Sequence, residues 1–80
     1  MEVLLFGIAR DIVGEGSFRF DAGESAPGSV SDLKEKLKNI FPEFRKLSSL
    51  AVAVNSTYAE DGYRLKDGDE IAIIPPVSGG

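Results

Sequence analysis

Apolar and polar positions recur with two different periods along this chain, and each change of period marks an element. Glu2–Ala9 (EVLLFGIA) is a nearly continuous apolar run without a helical break, which predicts a central strand. Ala9–Gly16 (ARDIVGEG) reads as a turn with room for one helical turn. Ser17–Ala22 (SFRFDA) alternates, with Phe18 and Phe20 on one face and Arg19 on the other, as in a half-buried strand paired to the first. Gly23–Ser29 is rich in breakers. Ser29 is the expected N-cap of a helix, and Asp32 supplies a short version of the capping box.

Val30, Leu33, Leu37, Ile40 and Phe41 follow at helical spacing, with Lys34, Glu35, Lys38 and Asn39 on the wet side. Pro42 disfavours helical geometry in the residue before it, so this helix should stop near Ile40 or Phe41. Glu43–Leu47 is expected to add one turn, with Phe44 folding back onto the core. Leu50–Asn55 (LAVAVN) predicts a third strand, Ser56–Leu65 a bent edge segment with an Asp61-Gly62 turn, and Lys66–Ile74 a turn into a last strand.

The order strand, strand, helix, strand, short strand, strand favours an α+β fold. The simplest packing is a mixed sheet wrapped on one main helix, the β-grasp or ubiquitin-like architecture. The most apolar strands, the first and the last, belong side by side at its centre, where parallel pairing is tolerated. Residues 1–74 would form this domain and residues 75–80 a flexible tail.

Successive strand residues point to opposite faces. Val3 and Leu5 therefore oppose Leu4, Phe6 and Ile8, while Ile71 and Ile73 oppose Ala72 and Ile74. Both strands are apolar on both sides, yet one long helix buries only one side. The other side should present Phe6 and Ile74, with Tyr58, as an apolar patch rimmed by charge, the usual mark of a partner site.

Composition then narrows the chemistry. Eighty residues make one small domain, and the chain has no cysteine and no histidine. That removes disulfide staples, thiolate nucleophiles and Cys/His metal sites, and fits a reducing cytoplasm. The net charge of −4 and the scattered basic residues argue against nucleic acid. The run Val3–Ala9 is too short to cross a bilayer, so no membrane association is expected. Asp67, Asp69 and Glu70 in "KDGDE" read as a tight turn, because a calcium loop needs more oxygen ligands in ordered spacing. No metal ligand set and no side-chain catalytic pair is expected.

The tail "PPVSGG" carries the remaining chemistry. Pro75 and Pro76 cannot donate ladder hydrogen bonds and stiffen the exit from the last strand. Residues 75–80 would reach roughly 20 Å at about 3.3 Å each. Val77 is followed by Ser78, Gly79 and Gly80, which are small enough for a narrow channel and allow close backbone approach. The expected working group is the Gly80 carboxylate, made reactive by ATP-dependent adenylation so that a sulfur or amine nucleophile displaces AMP.

"FGIARDIVG", "AVNSTYA" and above all "LKDGDEIAIIPPVSGG" resemble the small subunit of molybdopterin synthase over essentially the whole chain. The resemblance implies a β-grasp sulfur carrier rather than an enzyme, with no cofactor of its own. It implies three partners: a ubiquitin-activating-like adenylyltransferase that uses ATP to activate Gly80, a sulfur-donating enzyme that leaves a thiocarboxylate, and the synthase large subunit, in a heterotetramer. The large subunit would house the active-site side chains and accept Pro75–Gly79 in a channel, and sulfur would pass to a pyranopterin precursor of the molybdenum or tungsten cofactor. Phe6, Tyr58 and Ile74 match the family's partner contacts, with Tyr58 in place of a frequent aliphatic residue. Arg10 matches a basic position that either pairs with a partner carboxylate or is simply solvated. Two alternatives stay open: a ubiquitin-like modifier joined to lysines through Gly80, and a sulfur carrier of another pathway such as thiamine or cysteine synthesis.

Overall fold

The computed structural model describes residues 1–20, 26–47 and 50–74. Among these residues five strands form one mixed sheet: β1 (Glu2–Leu5), β2 (Ser17–Arg19), β3 (Ala51–Val54), β4 (Thr57–Ala59) and β5 (Ile71–Ile74), in the order β2-β1-β5-β3-β4. β1 and β5 lie parallel at the centre, and the other pairs are antiparallel. Among the described residues two α-helices accompany the sheet, α1 (Gly7–Val13) between β1 and β2 and the longer α2 (Val30–Ile40) after β2. A 3-10 helix at Pro42–Lys46 follows α2, where one further turn is expected from the sequence. The architecture is the α+β β-grasp.

Two expectations need correction. The first strand ends at Leu5 and not at Ala9, and α1 follows at once. Gly7 has φ 55, a left-handed conformation that a side chain would strain, and there the extended chain bends into a helix. The period changes with it: Ala9, Ile12 and Val13 stand at i, i+3 and i+4 and face the core. Ile8 is thereby lifted off the sheet face expected for it and lies 46% exposed. The second correction is Ile40, expected in the core and 47% exposed. The buried helix positions are Val30, Leu33 and Leu37, and the next position in that series is Phe41, just past the helix end. Phe41 joins an edge-to-face chain of rings, 5.4 Å from Phe18 and 6.1 Å from Phe44.

The core lies between α2 and one face of the sheet. Val3, Leu5, Ile71, Ile73 and Val52 are at most 2% exposed, and Phe44 closes one end. The start of α2 is capped twice. Ser29 Oγ accepts the Asp32 N–H at 3.1 Å, and Asp32 Oδ2 accepts the Gly28 N–H at 3.0 Å, one residue earlier than a regular capping box. The segment after β4 supplies the next acceptors: the Val30 N–H donates to Tyr63 O and the Ser31 N–H to Asp61 O. Lys34 Nζ holds the same segment through Asp61 at 2.7 Å, and that contact keeps the Asp61 carboxyl below its ordinary pKa. The turn expected at Asp61-Gly62 is closed by the Tyr63 N–H to Glu60 O at 2.9 Å.

The β3–β4 hairpin turns through Asn55 and Ser56, both with positive φ (53 and 69). Asparagine tolerates this conformation, whereas in serine it costs about 1–2 kcal/mol. Ser56→Gly should therefore raise stability by roughly 1 kcal/mol, a Tm increase of about 4–8 °C in a thermal melt.

Candidate functional site

Residues of β1, β5, β3 and β4 form an in-register row across the face opposite α2. Leu4 pairs with Ala72, Ala72 with Ala53, and Ala53 with Tyr58. The two alanines stand between larger neighbours, so the sheet surface is hollow between Leu4 and Tyr58. The result is a groove of about 320 Å³ lined by Leu4, Phe6, Ala53, Ser56, Tyr58, Glu70, Ala72 and Ile74. Phe6 is 51% exposed and Tyr58 70%, against 0–2% for Val3, Leu5, Ile71 and Ile73 on the helix side. Exposed aromatics around a concave apolar floor are unusual for a surface without a partner.

Phe6, Tyr58 and Ile74, singled out in the sequence, thus meet in one groove. Phe6 reaches it because its backbone is still extended and keeps the parity of Leu4, before the chain bends at Gly7. Arg10 does not line the groove; it stands exposed on α1 and forms no ion pair among the described residues. Pro75, Pro76, Val77, Ser78, Gly79 and Gly80 lie outside the described residues, and β5 runs up to their threshold at Ile74.

Ala53, Ser56 and Glu70 are the lining residues that sequence reading missed. A signal existed for one of them: Glu70 shares its parity with Ala72 and Ile74, so continuing the alternation two residues back places it on the same face. Ala53 and Ser56 become lining residues only once the β3–β4 register is known.

The far end of the groove is held by a polar clamp. The Lys66–Asp69 turn is closed by the Asp69 N–H to Lys66 O at 3.1 Å, with Gly68 at φ 88. Asp69 Oδ2 accepts the Lys66 N–H at 2.8 Å, and Oδ1 accepts from Asn55 Nδ2 at 3.0 Å. Asn55 Oδ1 accepts the Glu70 N–H at 3.0 Å, while the Asn55 N–H donates to Glu70 O at 2.8 Å. The "KDGDE" stretch is therefore a turn, as read from the sequence. Its Asp69 carboxyl sits below the ordinary carboxylate range, first through the Lys66 N–H and then through the Asn55 amide.

Comparison with known proteins agrees with this geometry. The ThiS family profile matches residues 3–80. A molybdopterin synthase sulfur carrier subunit of Chlamydomonas reinhardtii is 36% identical over 83 residues, covering 100% of this chain and 98% of its own. SAMP1 from Haloferax volcanii superposes with a TM-score of 0.77 at 29% identity, covering 100% of this chain and 98% of its own. The complex of subunits 1 and 2 of the Helicobacter pylori molybdopterin-converting factor contains a chain that matches with a TM-score of 0.64 at 30% identity, covering 99% of this chain and 96% of its own.

The two faces of the sheet should respond differently to truncation. Ile73→Ala, on the covered face, should cost about 2–5 kcal/mol in denaturant unfolding, whereas Phe6→Ala, on the open face, should stay within about 0.5 kcal/mol. Asp69 has a folded pKa below its unfolded one, so its contribution is complete above about pH 4 and is lost as the pH falls through the folded value. Asp69→Asn should thus be less stable than the parent at pH 7, and unfolding curves recorded at successively lower pH should converge below about pH 4.

Proposed function

The chain belongs to the ThiS family, and from that premise we propose that it is the sulfur carrier subunit of a molybdopterin synthase. The observation that carries this reading is the open apolar groove that ends at Ile74, the residue from which the arm Pro75–Gly80 departs. A large partner subunit covers the groove, and docking there aims the arm into that partner's active site. The Helicobacter pylori structure, a complex of subunits 1 and 2 of a molybdopterin-converting factor, supports a partner of this kind.

On this reading the domain spans residues 1–74 and the arm residues 75–80. The Gly80 carboxylate attacks the α-phosphorus of ATP in an adenylyltransferase and expels pyrophosphate. A hydrosulfide ion from the sulfur-donating enzyme then adds to the acyl carbon, AMP leaves and the S–H proton is lost, so Gly80 carries a thiocarboxylate. Pro75 and Pro76 limit the arm's conformations, which lowers the entropy lost on threading. Val77, Ser78 and Gly79 present little bulk to a channel. The sulfur passes to the pyranopterin precursor, water completes the exchange, and the Gly80 carboxylate returns. Phe6, Tyr58 and Ile74 supply the apolar contact, and Arg10, outside the groove on α1, pairs with a partner carboxylate.

A second reading, a protein modifier joined to lysine amines through the same activated carbonyl, is favoured by the likeness to SAMP1. Both readings need Gly80 and differ in the nucleophile. Mass spectrometry of the chain isolated from its native cell should show oxygen replaced by sulfur at Gly80, and deletion of Gly80 should abolish sulfur transfer while leaving the melting temperature unchanged. An isopeptide from Gly80 to lysines of other proteins, with no sulfur-bearing form, would replace the first reading by the second.

A further inference from the structure

Glu70 is the acidic residue in the wall of the apolar groove. Its backbone is fixed on both sides by Asn55, whose Oδ1 accepts the Glu70 N–H and whose own N–H donates to Glu70 O. Asn55 is in turn tied to Asp69, so the position of Glu70 is set by the clamp and not by a loop. Among the described residues its carboxylate has no hydrogen bond and no ion pair. The cations with ion-pair partners are engaged elsewhere, Arg19 with Glu2 and Lys34 with Asp61.

Glu70 and Leu4 also form the ridge between this groove and a neighbouring polar hollow. In that hollow Arg19 already faces Glu2 at 3.9 Å, the terminal amine donates to Phe20 O at 3.0 Å, and Asp69 is engaged in the clamp. Along the ridge the exposed Glu70 carboxylate is left to water, with no protein partner among the described residues. A partner that covers the groove also covers Glu70, and an ionised carboxylate shielded from water without a counter-charge is strongly unfavourable.

We propose that Glu70 is the specificity-determining charge of this docking face, and that it selects a partner segment pairing a large apolar side chain with a lysine or arginine. The apolar side chain fills the hollow over Ala53 and Ala72. Glu70 precedes Ala72 by two residues on one side of the sheet, which places the cation about 7 Å from the apolar anchor. The inference rests on the sulfur-carrier reading, because it takes the groove to be the surface that meets the synthase large subunit. It adds the chemistry that this subunit must present.

The test measures binding of the full chain to the recombinant large subunit from the same organism, across a range of salt concentrations. Glu70→Gln keeps the shape and removes the charge. It should weaken the complex about ten-fold or more and flatten its salt dependence, with an unchanged melting temperature. Glu35→Gln, on α2 and so away from the groove face, makes the same change in net charge and should leave binding as it was. Ala72→Phe fills the groove and should block docking. Glu70→Lys should bind worst and should recover when the contacting partner cation is changed to glutamate. If Glu70→Gln binds like the parent at every salt concentration while Ala72→Phe does not, the groove stands and the role of Glu70 is overturned. If Ala72→Phe binds normally, the apolar half is overturned. Absence of any complex with the parent chain overturns the sulfur-carrier reading, and this inference with it.

Discussion

A sheet that is apolar on both faces and has, among the described residues, one long helix to cover it governs the rest of this structure. Burying a large aliphatic side chain is worth about 1.5–3 kcal/mol, and α2 collects that gain for Val3, Leu5, Val52, Ile71 and Ile73. Nothing comparable among the described residues lies over Leu4, Ala72 and Ile74, which stay half-buried, or over Phe6 and Tyr58, which stay exposed. The unsatisfied face is therefore a consequence of topology. The same central strand β5 that anchors the core carries this face on its other side and ends at Ile74, the residue before Pro75 in the sequence. In the proposed function, docking and delivery would be coupled through this one strand.

Shape on the open face comes from small local choices. Alanines at 53 and 72 hollow the middle of the row, and the bend at Gly7 leaves Phe6 standing at its edge. The Asn55–Ser56 turn closes the hairpin in a left-handed conformation that costs energy at Ser56, beside the groove. Asn55 offsets part of this by bonding Asp69 and Glu70, so one side chain both turns the hairpin and fixes the groove's acidic wall. On the covered side, the Phe18, Phe41 and Phe44 rings do the corresponding work. They carry the core past the end of α2, where Pro42 stops the helix before Ile40 finds cover.

Much of this was legible in the chain. Alternation at Val3–Leu5 and Ile71–Ile74, helical spacing at Val30–Leu37, the Ser29 cap and the Pro42 stop are local properties, and each element appears where its period requires. The convergence of Phe6, Tyr58 and Ile74 was legible too, because parity alone assigns Phe6 and Ile74 to the face without a helix. The failures came at changes of period. A run such as Val3–Ala9 is apolar throughout, so it does not reveal that Leu5 ends a strand and Gly7 begins a helix. Likewise the spacing that put Ile40 beside Phe41 cannot tell which of the two turns inward at a helix end.

The sequence by itself therefore determined most of the elements, the two apolar faces of the sheet and the aromatic and aliphatic residues left uncovered, because these follow from periodicity and from the supply of helices. Only the tertiary structure decided that Ala53, Ser56 and Glu70 share a groove with Leu4 and Phe6, and that Asn55 and Asp69 hold Glu70 in its wall. Register between strands far apart in the chain is a non-local quantity. It is set by the sum of cross-strand contacts, and no single stretch of residues carries it.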